Sequence, residues 1–406
     1  MTFVTKADTV RHRGAGLATM LVLASSLLHP RDTAAQNPRP PGQPPQGARI
    51  TQVEPGPTNT ITDVPGIKVG NYDRFGDGYR TGTTVVLTDS AREKSGPGMT
   101  AGYSQMGGAP GTKETDLLKP GGNVRTVQAI VLSGGSAYGL DATTGVMRWM
   151  EEHGFGFRVG AGVVPIVPGA ILLDLGRGGD FKKRPDAEFG YRAADAATTA
   201  AVQMGRKGAG MGAGWGLGSA SVKLSNGYTV GAIVALNPGG SPVDPKTCLP
   251  WAAFLEMGKE FNIVAPTAQE CAAANAANAG RGRGRGGQPP PGDGSENFSN
   301  TTIAVVATDA PLEDLEAERM AVIANDGLAR AIHPIHGIGD GDTIFGLATT
   351  PPSHTMTNAE LGAIFNAAAD ALGRAVVQAV IVSKQVGNAR VGYCDQYPSA
   401  CKARKP

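Results

Sequence analysis

Runs of hydrophobic residues separated by glycine-rich turns divide the first half of the chain into predicted strands and helices. Two strands, at 61–72 and 81–87, flank a turn rich in Gly and Asp. The segment 127–135 is almost continuously apolar, which is typical of a strand covered on both faces. Helical spacing and a glycine stop follow at 137–154. A strand, a glycine turn and a helix in succession often build the floor of a site.

The same periodicities continue towards the C-terminus. They predict an extended segment at 163–175, a small-residue helix at 195–205, strands at 229–240, 302–308 and 342–350, and a long helix at 358–383. A further helix is predicted to start at Asp309-Ala310-Pro311, with one apolar face formed by Leu312, Leu315, Met320, Ile323 and Leu328. This order of elements predicts sheets that helices cover on their outer faces.

The N-terminal segment predicts export. Arg11 and Arg13 precede an apolar run from Leu17 to Leu28, and small residues follow at 33–35, where a signal peptidase could cut. We therefore expect a signal peptide at 1–35 and a periplasmic or secreted product; the alternative is an amphipathic or membrane-anchoring helix. No other segment is expected to be long and apolar enough to span a membrane.

Composition narrows the possible partners. The 406 residues are 41% hydrophobic, and 37 basic against 35 acidic side chains leave a formal net charge of only +2. This balance gives no argument for a nucleic acid or a membrane as partner. We expect small molecules or other subunits instead.

Two stretches of low complexity interrupt the folded pattern. A proline-rich lead is predicted at 36–57, and a flexible loop rich in Gly, Arg and Pro at 272–299. The loop has three arginines among its glycines, Arg281, Arg283 and Arg285. Without interleaved aromatic residues they argue against binding of single-stranded RNA.

The four cysteines fit an oxidising compartment. A bridge between Cys394 and Cys401 is favoured because it would pin the C-terminal tail, and Cys248 and Cys271 are the remaining pair. The sequence leaves the connectivity open. None of the cysteines has the spacing of a zinc site.

The candidate nucleophile lies where a predicted strand meets the predicted loop. In "NFSNTTIAVVATDA", residues 297–310, Thr301 would gain a base in its own α-amino group if the bond from Asn300 were cut. Other interpretations stay open. β-Branched residues commonly begin strands, Asn commonly occupies turns, and Asn297 and Asn300 also match glycosylation acceptors.

Acidic and amide side chains supply the other candidates. Asp340 and Asp342 flank a glycine before a strand and could orient or charge-balance a reacting group; the rival calcium-loop interpretation lacks the acidic residues downstream. Asn237 ends a strand and could donate to an oxyanion, although an Asn-Pro turn is the simpler interpretation.

Two further motifs have weaker alternatives. His333 and His336 with Asp340 could hold a transition metal, but Pro334 spoils the helical spacing. The glycine-rich segment 208–221 lacks the G-K-[ST] ending of a phosphate loop, and no suitably placed strand precedes it. Close-packed glycines lining a pocket explain it better than nucleotide binding.

Seven blocks in order resemble one family across residues 58–385. They are "ITDVPGIKVG", "GTTVVL", "LSGGSAYGLDATTGVMRWMEE", "GAGMGAGWGLGSAS", "VGAIVALNPGG", "NTTIAVVATDA" and "HGIGDGDTIFGLAT". The chain looks like the self-cleaving aminopeptidases of peptidase family S58, which include L-aminopeptidase/D-esterases, β-peptidyl aminopeptidases and, more distantly, nylon-oligomer hydrolases.

The resemblance implies an αββα sandwich in the α/β class, cut into an α chain ending at Asn300 and a β chain beginning at the nucleophile Thr301. It further implies Asn237 as oxyanion donor, Asp340 with Asp342 as the acidic pair, an oligomer of αβ units, and no metal or organic cofactor. The hydrolase domain would comprise 58–300 and 301–406. Tyr138 and Trp215 are candidates for the walls of the substrate pocket.

Departures from the family pattern limit the transfer of substrate preference. Some relatives have a tyrosine near the position of Leu172, and a lysine where this chain has none between Gly208 and Lys223. Threonine with two aspartates is closer to the nylon-hydrolase pattern than to the aminopeptidases with a serine nucleophile. The hypothesis is an exported, autoprocessed aminopeptidase for small peptides, amides or esters. The alternatives are an endo-acting amide hydrolase, a His/Asp metallohydrolase and a non-catalytic periplasmic protein.

Overall fold

The computed structural model describes residues 49–88, 98–281, 300–387 and 389–404. Its strands are β1 Gln52–Glu54, β2 Ile67–Gly76, β3 Tyr79–Thr88, β4 Met99–Gln105, β5 Thr112–Lys113, β6 Thr126–Val127, β7 Ala129–Ser133, β8 Phe157–Val159, β9 Gly162–Val164, β10 Gly169–Ile171, β11 Gly216–Leu224, β12 Thr229–Asn237, β13 Thr301–Thr308 and β14 Thr343–Ala348. Its α-helices are α1 Ala142–Glu152, α2 Ala187–Asp195, α3 Ala268–Arg281, α4 Asp314–Ala331, α5 Asn358–Val382 and α6 Tyr393–Gln396.

Two sheets form the centre of the molecule. A seven-stranded sheet has the order β1-β11-β12-β13-β14-β4-β6, and a five-stranded sheet has the order β2-β3-β7-β10-β5. Strands β8 and β9 pair separately as a hairpin. In the larger sheet β13 is the central strand, antiparallel to β12 and parallel to β14.

The side chains of β13 point alternately into two apolar cores. Ile303, Val305 and Ala307 join the cluster between the two sheets, whereas Ala304 and Val306 join the cluster beneath α4 and α5. A third cluster packs α1 and α2 on the outer face of the five-stranded sheet. Since a strand that is apolar on both faces must be covered on both, the result is four layers, helices–sheet–sheet–helices. The predicted αββα sandwich is confirmed.

Glycine permits the close approach of helix and sheet. A Cβ built on Gly218 of β11 would lie 2.0 Å from the carbonyl oxygen of Ala375 in α5. No side chain fits at that separation. This contact accounts for part of the high glycine content.

Most of the predicted apolar strands are confirmed to within a few residues, but the strand predicted at 61–72 is β2 and begins only at Ile67, because Ile61–Asp63 form a 3-10 helix. Those expected at 81–87, 229–240, 302–308 and 342–350 appear as β3, β12, β13 and β14. The run 127–135 contains β7, and the long helix predicted at 358–383 is α5. The extended segment predicted at 163–175 holds only two short strands, β9 and β10.

The helix predicted at 195–205 is wrong. Helix α2 ends at Asp195, and its N-terminus is set earlier by Asp186, whose Oδ1 accepts the backbone N–H of Phe189 at 3.2 Å. Two of the residues that follow form isolated β-bridges: Thr198 pairs with Val69 of β2, and Gly205 pairs with Leu217 of β11. These tertiary backbone pairings override the helix propensity of the alanines.

The predicted loop 272–299 begins with helix instead. Residues up to Arg281 belong to α3, as the high helix propensity of its alanines allows; residues 282–299 lie outside the described part. The proline-rich lead 36–57 contains β1, which pairs with β11. The predicted signal peptide, 1–35, lies outside the described residues.

The predicted apolar face of α4 is wrong at two positions. Leu315 is 61% exposed and Ile323 is only half-buried, and the helix begins at Asp314, later than expected. Its buried face is built largely from small residues at Ala317, Ala321 and Ala324. Small side chains allow α4 to lie close to α5, and they carry little periodic signal in the sequence.

Both predicted cysteine pairs are disulfides. Cys394 is bonded to Cys401, and Cys248 to Cys271. Helix α5 is long and apolar enough, by length and composition, to cross a membrane, contrary to the expectation that no such segment follows the N-terminus. Most of it is buried inside the protein, as in the core helix of a folded domain.

Candidate active site

The ends of β12 and β13 bring the main candidates together. Asn237, the last residue of β12, is the register partner of Thr301, the first residue of β13. On the other side Asn300 forms a parallel bridge with Asp340. Three separate segments of the sequence thus meet at the Asn300–Thr301 peptide bond, and the Thr301 side chain is buried, with 5% of the residue exposed.

The Asn300–Thr301 bond is held between a hydroxyl and a backbone donor. Thr301 Oγ1 donates to the carbonyl oxygen of Asn300, and the N–H of Gly341 donates to the same oxygen at 3.1 Å. Gly341 must be small, since a Cβ there would lie 2.9 Å from Thr301 Oγ1. The hydroxyl therefore lies against a carbonyl that a hydrogen bond already polarises.

Asp342 fixes the start of β13. Its Oδ1 accepts the backbone N–H of Thr302 at 2.6 Å, and its Oδ2 accepts the backbone N–H of His336 at 3.2 Å. The Nδ1 atom of His336 also lies 2.9 Å from Oδ2. A proton on Nδ1 would therefore be donated to the Asp342 carboxylate. His336 is thus a partner of Asp342, a role that the sequence analysis missed.

Asp340 is held by two backbone N–H groups, from Gly239 to Oδ1 at 3.0 Å and from Gly337 to Oδ2 at 2.8 Å. Burial raises the pKa of this carboxyl, and the charge of Asp342 raises it further. The paired aspartates lie beside Thr301, as the family pattern implies, but their oxygens bind backbone N–H groups.

The side-chain amide of Asn237 has defined partners. Its Oδ1 accepts from the guanidinium of Arg177 at 2.8 Å and from the N–H of Gly214 at 3.0 Å, while Nδ2 donates to the carbonyl of Leu173 at 3.2 Å. An amide nitrogen has two hydrogens. Within the described residues, the bond to Leu173 uses only one of them. Sequence reasoning missed Arg177, whose only signal is its place in a glycine-rich turn after a buried extended segment.

A buried carboxylate lies behind Arg177. Asp174 accepts from the Thr81 hydroxyl at 2.6 Å and from the N–H of Gly135 at 2.7 Å. Burial raises its pKa to about 6, although these donors and the charge of Arg177 act in the opposite direction. Asp174 is therefore a titratable group that interacts with Arg177, the partner of Asn237. The sequence analysis did not predict it.

The two predicted pocket residues differ in burial. Trp215 is 7% exposed, and the guanidinium of Arg390 lies 4.1 Å from the centre of its ring. The backbone N–H of Trp215 donates to the carbonyl oxygen of Leu236, the residue before Asn237. Tyr138 is half-exposed under Arg184, 3.4 Å from the ring centre. Their contact with substrate remains a prediction.

The metal alternative is not supported by the positions of its residues. His333 is exposed, and its ring lies 4.4 Å from that of Trp251. Within the described ranges, no three His, Cys, Asp or Glu side chains converge closely enough to hold an ion. His333, His336 and Asp340 therefore do not form the expected ligand set.

The chain is similar to known proteins over most of its length. The model of "Peptidase family S58" matches residues 59–391. An uncharacterized aminopeptidase of Mycobacterium leprae is 43% identical over 372 residues, which are 85% of this chain and 96% of that protein. A 6-aminohexanoate-oligomer endohydrolase of Paenarthrobacter ureafaciens is 27% identical over 71% of this chain and 74% of its own length.

Two solved structures share the fold. A β-aminopeptidase from a Burkholderia species has a TM-score of 0.61 at 23% identity, covering 88% of this chain and 98% of that one. The L-aminopeptidase D-Ala-esterase/amidase of Ochrobactrum anthropi, described as a variant of the Ntn hydrolase fold, has a TM-score of 0.63 at 22% identity over 85% and 93%. The chain therefore belongs to peptidase family S58 and is a peptide and amide hydrolase of the aminopeptidase type.

Proposed function

We propose that the protein is made as a precursor that cuts its own Asn300–Thr301 bond and then uses Thr301 as an N-terminal nucleophile. The observation that carries this proposal is the Thr301 hydroxyl lying against the Asn300 carbonyl, whose oxygen accepts the Gly341 N–H. Membership of a peptidase family argues against the non-catalytic alternative.

Self-cleavage proceeds by an acyl shift. Thr301 Oγ attacks the carbonyl carbon of Asn300, and the C–O bond forms as the C–N bond breaks. The hydroxyl proton passes to the departing nitrogen, which becomes the α-amine of Thr301, and the Gly341 N–H stabilises the oxygen as it gains charge. Water then hydrolyses the ester, which gives a carboxylate on Asn300 and restores the Thr301 hydroxyl.

The new amine serves as the base for substrate hydrolysis. Its ordinary pKa, about 7.7–8.0, suits proton transfer near neutral pH. Thr301 Oγ attacks the substrate carbonyl, the amine takes the hydroxyl proton and returns it to the leaving nitrogen, and the second N–H of Asn237 donates to the oxyanion. Water hydrolyses the resulting acyl ester, while Asp342 holds the start of β13 in position.

We propose that the substrates are small peptides, amides or esters from which an N-terminal residue is released. The 43% identity to relatives named aminopeptidases favours this exo mode. The alternative is internal amide cleavage, favoured by the threonine-with-two-aspartates pattern and by the relatives named as oligomer endohydrolases. Aminoacyl p-nitroanilides tested beside internally placed amides separate the two.

Export and assembly belong to the same proposal. The two disulfides are compatible with folding in an oxidising compartment, as expected for a periplasmic or secreted enzyme. The cleaved αβ unit is expected to form a homo-oligomer with no bound cofactor. Fractionation of the native host and gel filtration of the purified protein test these two points.

Electrophoresis and terminal sequencing test the nucleophile. Purified protein should give two bands, the smaller beginning at Thr301, and Thr301→Ala should give one inactive band. Thr302→Val is the matched control, since the described structure gives the Thr302 hydroxyl no hydrogen-bond partner and valine has the same shape. An uncut active chain, or a small product that begins at another residue, contradicts the proposal. Loss of activity on exhaustive chelation would favour the metallohydrolase.

A further inference from the structure

The amide of Asn237 is oriented by groups from both sheets. Its own strand, β12, belongs to the seven-stranded sheet, whereas Arg177 follows β10 of the five-stranded sheet. The Arg177 Nη1 donates to Oδ1 at 2.8 Å, over a sequence separation of 60 residues. Gly214, just before β11, donates its N–H to the same oxygen at 3.0 Å.

We propose that Arg177 is a positioning residue for substrate hydrolysis, whose guanidinium fixes and polarises the Asn237 amide so that one of its hydrogens is directed at the substrate oxyanion. The inference rests on the proposed oxyanion role of Asn237.

The amide can adopt only one orientation. If the amide were rotated by half a turn, Nδ2 would face the donors of Arg177 and Gly214, so that three donor nitrogens would lie together without an acceptor. Oδ1 would then face the carbonyl oxygen of Leu173. In the observed orientation Oδ1 accepts both, and one Nδ2 hydrogen goes to the Leu173 carbonyl at 3.2 Å. The remaining hydrogen is thereby fixed in direction before substrate arrives, which is the preorganisation that oxyanion stabilisation requires.

The charge of Arg177 adds to the orientation. A hydrogen bond from a charged donor withdraws electron density from the amide oxygen, and chains of such bonds strengthen one another in a buried setting. Burial lowers the pKa of Arg177, with Asp174 acting in the opposite direction, but a guanidinium stays protonated in proteins. The Nδ2–H is therefore a stronger donor than that of an asparagine without a cationic partner.

Self-cleavage uses a different donor. The Asn300 carbonyl oxygen accepts the backbone N–H of Gly341, which no side-chain change at Arg177 removes. Loss of Arg177 should therefore slow substrate turnover and leave precursor cleavage intact. This difference separates a failure of the inference from a failure of the proposed function.

The experiment compares variants at Arg177 with a matched surface arginine. Arg177→Met removes the charge and the donor, Arg177→Gln keeps a neutral donor, and Arg177→Lys keeps the charge. Arg148→Met is the control, because Arg148 is half-exposed on α1 and pairs with Glu188 on the surface. Each variant is tested for precursor cleavage by electrophoresis and for kcat and KM on an aminoacyl p-nitroanilide.

We expect complete cleavage in every variant. Arg177→Met should lower kcat about 10- to 100-fold with KM changed less than about threefold, because the lost stabilisation is confined to the transition state. Arg177→Gln and Arg177→Lys should lie between Met and wild type, and Arg148→Met should match wild type.

A double variant tests whether Arg177 acts through Asn237. Asn237→Ala should lower kcat about 100- to 1,000-fold, the usual cost of losing an oxyanion donor. Adding Arg177→Met to it should lower kcat by less than about threefold more. Equal losses in both backgrounds, wild-type kcat in Arg177→Met, or an uncut Arg177→Lys precursor would overturn the inference. Full activity in Asn237→Ala would overturn the oxyanion assignment itself.

Discussion

At the scale of single residues, the site consists of buried carboxylates and amides whose partners are mostly backbone N–H groups. Asp340 and Asp342 hold the loop around Gly341, and Asp174 lies behind Arg177. An unpaired buried charge is costly, so buried carboxylates accept hydrogen bonds, and burial can raise their pKa as well. Asp174 and Asp342 each lead to a testable prediction.

Asp174→Asn should change how stability depends on pH. The folded-state pKa is about 6, above the ordinary value of 3.8, so the folded protein binds this proton more tightly. The stabilisation of the folded state by the Asp174 proton is fully present below pH 4 and is lost as the pH rises through 6. It amounts to about 3 kcal/mol for a shift of this size. Urea unfolding of both proteins at pH 4 and 7.5, in the Thr301→Ala background, measures it.

Asparagine fits the Asp174 site, because the Thr81 hydroxyl can accept instead of donating. The stability difference between wild type and Asp174→Asn should favour wild type more at pH 4 than at pH 7.5. Two pH profiles that run parallel would mean that Asp174 titrates at its ordinary pKa in the folded state.

Asp342→Asn should destabilise the protein and slow cleavage. The new amide nitrogen would face the His336 donors or the Thr302 N–H, so at least one buried bond to a charged acceptor is lost. Such a loss costs about 1.5–3 kcal/mol. Thermal unfolding and the time course of precursor cleavage measure the two effects. Asp77→Asn is the control, since the Asp77 side chain is 92% exposed in a turn. Equal losses in both variants would mean that the hydrogen bonds of Asp342 do not stabilise the site.

The sequence predicted the site residues of the seven-stranded sheet but not those that follow β10 of the five-stranded sheet. Thr301, Asn237, Asp340 and Asp342 lie in recognisable blocks at strand ends, and the register of β12, β13 and β14 brings them together. Arg177 reaches Asn237 only because the two sheets stack face to face, and Asp174 interacts with Arg177 rather than with Asn237. A contact across two sheets depends on the tertiary arrangement, and no local periodicity encodes it.

At the scale of elements, small residues determine how closely helices and strands approach. Apolar runs predicted β3, β12, β13 and β14 correctly because buried strands require continuous hydrophobicity. Segments dominated by alanine were misread in both directions: 195–205 is not helical, and α3 is. Alanine fits helix, strand or loop, so only its tertiary neighbours decide.

Two glycines in the α4–α5 pair should respond oppositely to alanine. A Cβ on Gly327 of α4 would lie 2.1 Å from the Ala369 carbonyl oxygen in α5, whereas one on Gly362 of α5 would meet nothing within 4 Å. Gly327→Ala should cost about 1–3 kcal/mol by forcing the helices apart. Gly362→Ala should gain about 0.5–1 kcal/mol, since glycine is a poor helix former.

Chemical denaturation of both glycine variants in the Thr301→Ala background measures the two changes on an uncut chain. Gly362→Ala is the internal control for the effect of the alanine itself. If Gly327→Ala also stabilised the protein, the close helix contact would not exist in solution.

At the scale of the whole molecule, the proposed cut divides one continuous sheet. Strand β12 belongs to the first product and β13 to the second, yet they pair along eight registered positions from Val230↔Thr308 to Asn237↔Thr301. Both apolar cores also contain residues from both products. Cleavage therefore frees the Thr301 amine and leaves the fold dependent on both chains.

The disulfides give this division a sharp test. Cys248–Cys271 lies entirely before the cut, and Cys394–Cys401 lies entirely after it, so no disulfide of the four cysteines joins the two products.

The cleaved protein should elute as one species in native gel filtration, because the shared sheet and cores hold the chains together. In denaturing electrophoresis it should give the same two bands with or without reductant. The Thr301→Ala precursor, as control, should give one band under both conditions. A single unreduced band that splits only on reduction would mean that a disulfide crosses the cut, contrary to this pairing.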